Sequence, residues 1–226
     1  MKVYLMMVPI LFLTISMATE IKVAPNGADY SSLQAALNNA SSGDVIKVQS
    51  GTYNGSVRVD KQVELKGIDT GGGLPVINAR GSGSAITLSA DGIALEGFNL
   101  TNSGHCGCGN AGIYVASNNS TISHNIVYKD RFGIYIKVGK TGNKLFLNNL
   151  ANNNVSAYDG GNNTWNSPVS AGLIGLQKKM AGNYYGDNDN PPYTCNDSNR
   201  DSICDLPRKI MGGSNIDRYP LANPEW

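Results

Sequence analysis

Between about Val45 and Trp165 the chain alternates short apolar runs with breaks rich in Gly, Asn and Ser, and inside the runs apolar and polar residues alternate singly. Two runs, Gly112-Ile113-Tyr114-Val115 and Gly133-Ile134-Tyr135-Ile136, are nearly one phrase repeated 21 positions apart. That period is too short for paired-helix repeats, which need roughly 33 residues or more. The runs are also β-branched and aromatic, which suits strands. The pattern predicts an all-β fold: a single-stranded right-handed parallel β-helix of about five coils. Residues one period apart then lie above one another at a spacing of roughly 4.8 Å.

Carrying the register outward aligns Ile86, Ile113, Ile134 and Val155 as one inward column, and Leu88, Val115, Ile136 and Ala157 as the next. A second strand aligns Leu65, Leu95, Ile122 and Phe146, followed by Trp165, and Asn125 and Asn149 fall together beside Phe98 as a short Asn ladder. Ser117 to Thr121 and Gly139 to Asn143 supply turns in which Gly and Asn tolerate positive φ. Because Ile113 and Val115 point inward, Tyr114 and Tyr135 must point outward, and Thr87 and Ser156 continue that outward column. Stacked phenols edged by hydroxyls on a rigid sheet suit the faces and hydroxyls of sugars. Cross-strand tyrosines also stabilise a sheet by packing alone.

The first 18 residues read as a signal peptide: Lys2, an apolar run from Tyr4 to Ile15, and Ser16-Met17-Ala18 as a small-residue cleavage site. That run is shorter than the roughly 20 apolar residues a membrane-spanning helix needs. Residues 19–44 form an N-terminal cap in which Ser31 to Ala40 is an amphipathic helix, with Ser31 and Gln34 as a capping box and Leu33, Ala36, Leu37 and Ala40 on one face. The helix is expected to cover the open end of the solenoid. Coils follow over residues 45–168, then an irregular C-terminal cap over 169–226. With 27 glycines in 226 residues, 15% charged residues and a net charge of +1, the composition fits an exported repeat protein. No basic stripe is present to bind nucleic acid.

The remaining chemistry lies in loops. Asp197, Asn199, Asp201, Ile203 and Asp205 place oxygen ligands at alternate positions, with Ile203 contributing its carbonyl, as in the first part of an EF-hand loop for Ca²⁺. Ser202 stands where that loop needs Gly and Arg208 where it needs Glu, so a further carboxylate must come from Asp187, Asp189 or Asp217. Four cysteines in an exported chain allow three disulfide connectivities. Cys195 with Cys204 is the economical pair, clamping the calcium loop. Cys106 and Cys108 form a local disulfide, remain free thiols on an exposed loop or, with His105, make a soft site for copper or zinc. His124 reads as structural. Lys129, Asp130 and Arg131 form the dense charged cluster of the coils and read as a solvated turn. Sequons at Asn54, Asn99, Asn118, Asn119, Asn154 and Asn162 are open to glycosylation in a host that modifies exported chains.

Gly43-Asp44-Val45-Ile46-Lys47-Val48 with Gly51-Thr52-Tyr53 resembles the start of the first coil in right-handed β-helix proteins that bind or act on carbohydrates. Further on, Thr164-Trp165-Asn166-Ser167-Pro168, Gly182-Asn183-Tyr184-Tyr185, the Asp197–Asp205 loop and Gly212 to Leu221 occur in the order seen in NosD-like proteins. The chain resembles that family over nearly all of its mature length. The resemblance implies an exported, periplasmic or surface β-helix, and expects a non-catalytic scaffold that binds carbohydrate or a cell-envelope partner. It also implies a second possibility, a copper-handling accessory working with an ABC transporter or an exported metalloenzyme. A polysaccharide lyase, hydrolase or epimerase is the third reading, although the clustered aspartates of pectin hydrolases and the Asp-Pro-His-Asp signature of alginate epimerases are absent from the sequence.

Overall fold

The computed structural model describes residues 18–105, 109–171, 177–186 and 194–224. The proposed signal peptide, apart from Ala18, lies outside them. The chain winds into a parallel β-solenoid of about six coils with three faces. The first sheet stacks Glu20–Val23, Val45–Gln49, Glu64–Ile68, Ala94–Glu96, Thr121–Ser123, Thr141–Phe146 and Asn162–Thr164. A second carries Thr52–Asn54, Val76–Asn78, Asn99–Thr101, Ile126–Tyr128, Asn149–Leu150 and Tyr184–Tyr185. The third carries Val57–Val59, Ile86–Leu88, Ala111–Val115, Phe132–Ile136 and Val155–Asp159. Every pairing within these sheets is parallel, because each strand meets the residue one coil earlier and one coil later.

The inward columns fill the tube with Ile, Leu and Val, all buried, among them Leu65, Leu95 and Ile122 on the first sheet and Ile86, Ile113 and Ile134 on the third. Two expected columns shift. On the third sheet Ile134 pairs with Ala157 and Tyr135 with Tyr158, so this coil is two residues longer than the one before it. Val155 instead pairs with Phe132. Ser156 takes the place of Gly112 and Gly133, where the backbone turns the side chain into the corner. It is buried, its hydroxyl donating to the Leu150 carbonyl at 2.9 Å. On the first sheet the inward residue is Leu145, while Phe146 pairs with Ser123 and is half-buried, because a slip of one residue exchanges the two faces.

The corners hold the coils in register. Gly97, His124 and Leu147 occupy one corner at positive φ in successive coils, as do Asn102, Lys129 and Asn152 at a second and Gly92, Asn119 and Gly142 at a third. His124 is therefore a corner residue, its ring edge-on to Phe146 at 6.2 Å. Just after the first corner runs a buried amide ladder. Asn125 donates its backbone N–H to Asn148 Oδ1 at 3.1 Å, Asn148 donates to Asn183 Oδ1 at 3.1 Å, and Asn183 donates to Asp217 Oδ2 at 2.8 Å. The rung is Asn148; Asn149 lies one residue along and is half-buried. A second ladder runs from Ser120 to Asn143, Asn163 and Asn215 through the same backbone-to-amide bond.

Both ends are closed by groups that imitate a strand. At the N-terminal end, the helix Leu33–Asn39 is capped by Ser32, whose hydroxyl accepts from Ala35 N–H, and not by the Ser31 and Gln34 box. Gln34 is committed elsewhere: its amide accepts from Arg58 N–H at 2.9 Å and donates to the Arg58 carbonyl at 3.2 Å, pairing the open edge of Val57–Val59. At the other end, an antiparallel hairpin of Ser167–Ala171 and Gln177–Ala181 interrupts the last coil, which resumes at Tyr184–Tyr185. The tail then lies across it: Asp159 N–H donates to the Met211 carbonyl, Gly182 N–H to the Tyr219 carbonyl and Leu221 N–H to the Asn183 carbonyl. Asn215 and Asp217 are thus the last rungs of the two ladders.

Replacing Asn148 by Ala removes a rung that joins three coils and leaves Asn125 N–H and the Ile122 carbonyl without this partner in the interior. Each buried orphan costs on the order of 1–3 kcal/mol. The expected outcome is a loss of about 3 kcal/mol or more, measured by denaturant unfolding.

Candidate binding face

The outward column of the third sheet runs Arg58, Thr87, Tyr114, Tyr135 and Tyr158, each paired with the next by strand register. Its side chains stand at the spacing of the coils, so neighbouring rings are forced face to face. The Tyr114 and Tyr135 rings are 5.6 Å apart at 8°, and the Tyr135 and Tyr158 rings 4.5 Å apart at 8°. Phe132 meets Tyr135 edge-on at 5.2 Å and Tyr158 at 6.2 Å, and the Arg131 guanidinium lies 5.5 Å from the Phe132 centroid. All four rings are half-buried.

This stack decides what the face can do. Both faces of the Tyr135 ring are covered by its neighbours, so neither is open to a ligand. The tail reaches the far side of Tyr158: a side chain at Gly212 would meet that ring at 2.8 Å. Along the long edge, Gly109 packs against Tyr114 and Tyr135, where an added Cβ would lie 3.1 and 3.3 Å away. That leaves the side of Tyr114 turned toward Thr87 as the ring face not taken up by the stack. Of the residues expected to form this surface, Thr87, Tyr114 and Tyr135 lie on it. Ser156 does not, and Tyr158 stands at the outward position of that coil.

Beside this face, Asp130 is not part of a solvated turn. It is 1% exposed, with Oδ1 accepting from Ser103 N–H at 2.6 Å and Oδ2 without a partner. Gly112 backs directly onto Oδ2, which a Cβ there would approach to 2.5 Å. One coil on, the equivalent rung is Asn153, whose Nδ2 donates to the Val127 and Leu150 carbonyls. A carboxylate has no N–H with which to make those bonds. Burial pushes the Asp130 carboxyl up to about 7. Asp217, buried at the end of its ladder, is pushed up to about 6 by the same cause, against N–H bonds from Asn183 and Tyr219. Tyr185 donates to Asp217 at 3.0 Å beneath the Arg208 guanidinium, 4.4 Å from the ring, and burial holds its phenol well above the ordinary range.

The loop chosen for calcium is held by its own hydrogen bonds. Asp197 accepts from the Asp201 and Ser202 N–H groups, and Asp201 accepts from Ile203 N–H. Asn199 Oδ1 also accepts from Asp201 N–H. Asp205 is turned toward Asn196 and Ser198. Cys195 and Cys204 are joined, with Cα atoms 5.2 Å apart. Among the described residues no three His, Cys, Asp or Glu side chains converge on a metal position. His105 is exposed, its carbonyl 3.5 Å from Arg131 Nη1, while Cys106, Cys108, Asp187 and Asp189 lie outside the described residues. No helix among the described residues is long and apolar enough to cross a membrane.

The family model described as periplasmic copper-binding protein (NosD) matches residues 76–190. Among solved structures, the chain is similar to the pectin methylesterase from carrot at 15% identity and a TM-score of 0.49, covering 69% of this chain and 51% of that one. It is also similar to the pectin methylesterase PemA from Erwinia chrysanthemi at 15% identity and a TM-score of 0.47, covering 78% of this chain and 69% of that one. The chain thus spans about half the length of the carrot enzyme. No curated protein matches it.

The buried carboxyl predicts a pH effect of known sign. The folded value of Asp130 lies above the unfolded value near 3.9, so the native state holds its proton more tightly. Its contribution to stability is complete below about pH 4 and is lost as pH rises through about 7. Asp130→Asn supplies the missing donor and is expected to stabilise the chain by about 1–3 kcal/mol near pH 8. The gain should shrink toward pH 4, as read from denaturant unfolding at both values.

Proposed function

The chain belongs to the NosD family, and from that premise we propose that it is an exported, non-catalytic scaffold that binds carbohydrate through the aromatic face of its third sheet. The carrying observation is the three-tyrosine stack with Phe132 at its edge. The hydrophobic core does not need these rings, because the inward columns fill the tube without them. Large half-buried rings set side by side on a rigid sheet are costly to leave in water and suit a partner with both apolar and hydroxyl surface. The stack restricts how that partner engages: the faces of Tyr135 are covered, and Tyr114 supplies the surface for a sugar ring to lie on.

The family description supports copper handling as a second reading, for which His105, Cys106 and Cys108 are the donors we propose. Soft thiols and an imidazole within four residues of sequence suit Cu(I), which they would hold for transfer to an exported metalloenzyme. A structural calcium at Asp197, Asn199, Asp201, Ile203 and Asp205 is a separate proposal supported by their spacing; binding would require Asp205 to exchange Asn196 and Ser198 for the ion.

In a glycan-array measurement, the folded Tyr114→Ala, Tyr135→Ala double variant is expected to lose binding by at least about tenfold, and unchanged binding would remove the aromatic face from consideration. Metal analysis of the purified chain tests the ions. Bound calcium is expected to raise Tm, with the rise abolished by a chelator. Stoichiometric copper that disappears in the Cys106→Ser, Cys108→Ser variant would instead support copper handling.

A further inference from the structure

Below Tyr114 the outward column changes character. The next residue is the small Thr87 and the next Arg58, so the column has a notch one coil deep between a ring and a guanidinium. Two coil steps separate Arg58 from Tyr114 along the solenoid, roughly 9.6 Å at the spacing of paired strands. A sugar ring in contact with the Tyr114 face takes up about 4 Å of that. What remains fits a ring substituent and one charge-assisted hydrogen bond of about 2.8 Å.

Arg58 is well placed for that bond. It is exposed, yet its backbone N–H and carbonyl are both bonded by the Gln34 amide, so its position is set by the N-terminal helix. Among the described residues its guanidinium makes no ion pair: neither Asp60, two residues along the strand, nor any other carboxylate lies within 4.0 Å of it. Lys61, the nearest cation in sequence, is turned away to the Leu37 and Asn38 carbonyls. A single planar guanidinium matches a planar carboxylate through two parallel N–H bonds, whereas phosphorylated ligands are usually held by clusters of cations.

We propose that the Arg58–Thr87–Tyr114 notch is a subsite for a carboxylate-bearing sugar, with the ring on Tyr114 and the carboxylate on Arg58. This rests on the carbohydrate reading of the same face and names the class of sugar it takes.

Titration calorimetry of the folded chain with a uronic-acid tetrasaccharide and with its carboxyl-reduced neutral counterpart tests it. The acidic sugar is expected to bind about tenfold more tightly, the strength of one charge-assisted bond, and that preference should shrink as salt is added. Arg58→Gln should erase the preference by weakening the acidic sugar about tenfold relative to its neutral counterpart, and Tyr114→Ala should weaken both sugars. Equal affinity for the two sugars, or a preference that survives Arg58→Gln, overturns the subsite and leaves the carbohydrate reading standing. Binding of neither sugar sinks both. An acidic preference lost in Tyr158→Ala but kept in Arg58→Gln places the anion site at the other end of the stack and also overturns the proposal.

Discussion

Everything in this molecule depends on one bond pattern: each coil hydrogen-bonds to the coil before and the coil after, and to little else. Strand N–H groups and the rung-to-rung bonds of the amide ladders point along the solenoid axis, so a coil leaves most of its strand backbone groups to its neighbours. A coil in the middle is stable because two neighbours exist, and a coil at an end is short of partners. The chain meets that shortage with imitations of a coil. Gln34 supplies one peptide's worth of donor and acceptor at one end, while Asn215, Asp217, Tyr219 and Leu221 supply an incomplete last turn at the other.

The same axial stacking explains the electrostatics. The ladder side chains are buried between layers, so an amide is the favoured rung: its oxygen accepts from one layer and its nitrogen donates to another. Asp217 works as the terminal rung because four donor bonds come to it, from Asn183 N–H and Nδ2, the Tyr185 hydroxyl and Tyr219 N–H. Asp130 sits inside a ladder, where a rung needs a donor it lacks, and one of its oxygens is orphaned. Surface carboxylates such as Asp69 and Asp91 show the opposite behaviour. Backbone N–H bonds from Gly71 and Gly73, and from Asn118, hold them below the usual range, and their contribution is lost only in acid.

Outside the tube, stacking turns a sequence phrase into a surface. One position of each coil repeats in register on the third face, so three tyrosines at that position become a stack whether or not they serve a ligand. The stack then limits recognition by covering its own middle ring. Where the repeated residue shrinks to Thr87, the run of rings ends, and Thr87 stands between Tyr114 and Arg58 in the register.

The repeated Gly-Ile-Tyr phrase was enough to specify a parallel solenoid, its inward Ile and Val columns and its outward tyrosines, because period-2 alternation and vertical stacking follow from backbone geometry alone. The pairing of Cys195 with Cys204 was also legible, since the two residues flank one short loop. Coil length was not. The step from Ile134 to Ala157 is 23 residues against 21 for the step before it, and an offset of two leaves the alternation intact, so Ser156 and Tyr158 exchanged roles without a local signal. The step from Asn148 to Asn183 spans 35 residues because a hairpin intervenes, and no period finds it. Burial of Asp130 and the last rungs supplied by Asn215 and Asp217 likewise belong to the tertiary structure. Turns absorb extra residues at little cost on the outside of the tube, while the axial hydrogen bonds inside it select which residue of each coil becomes the rung.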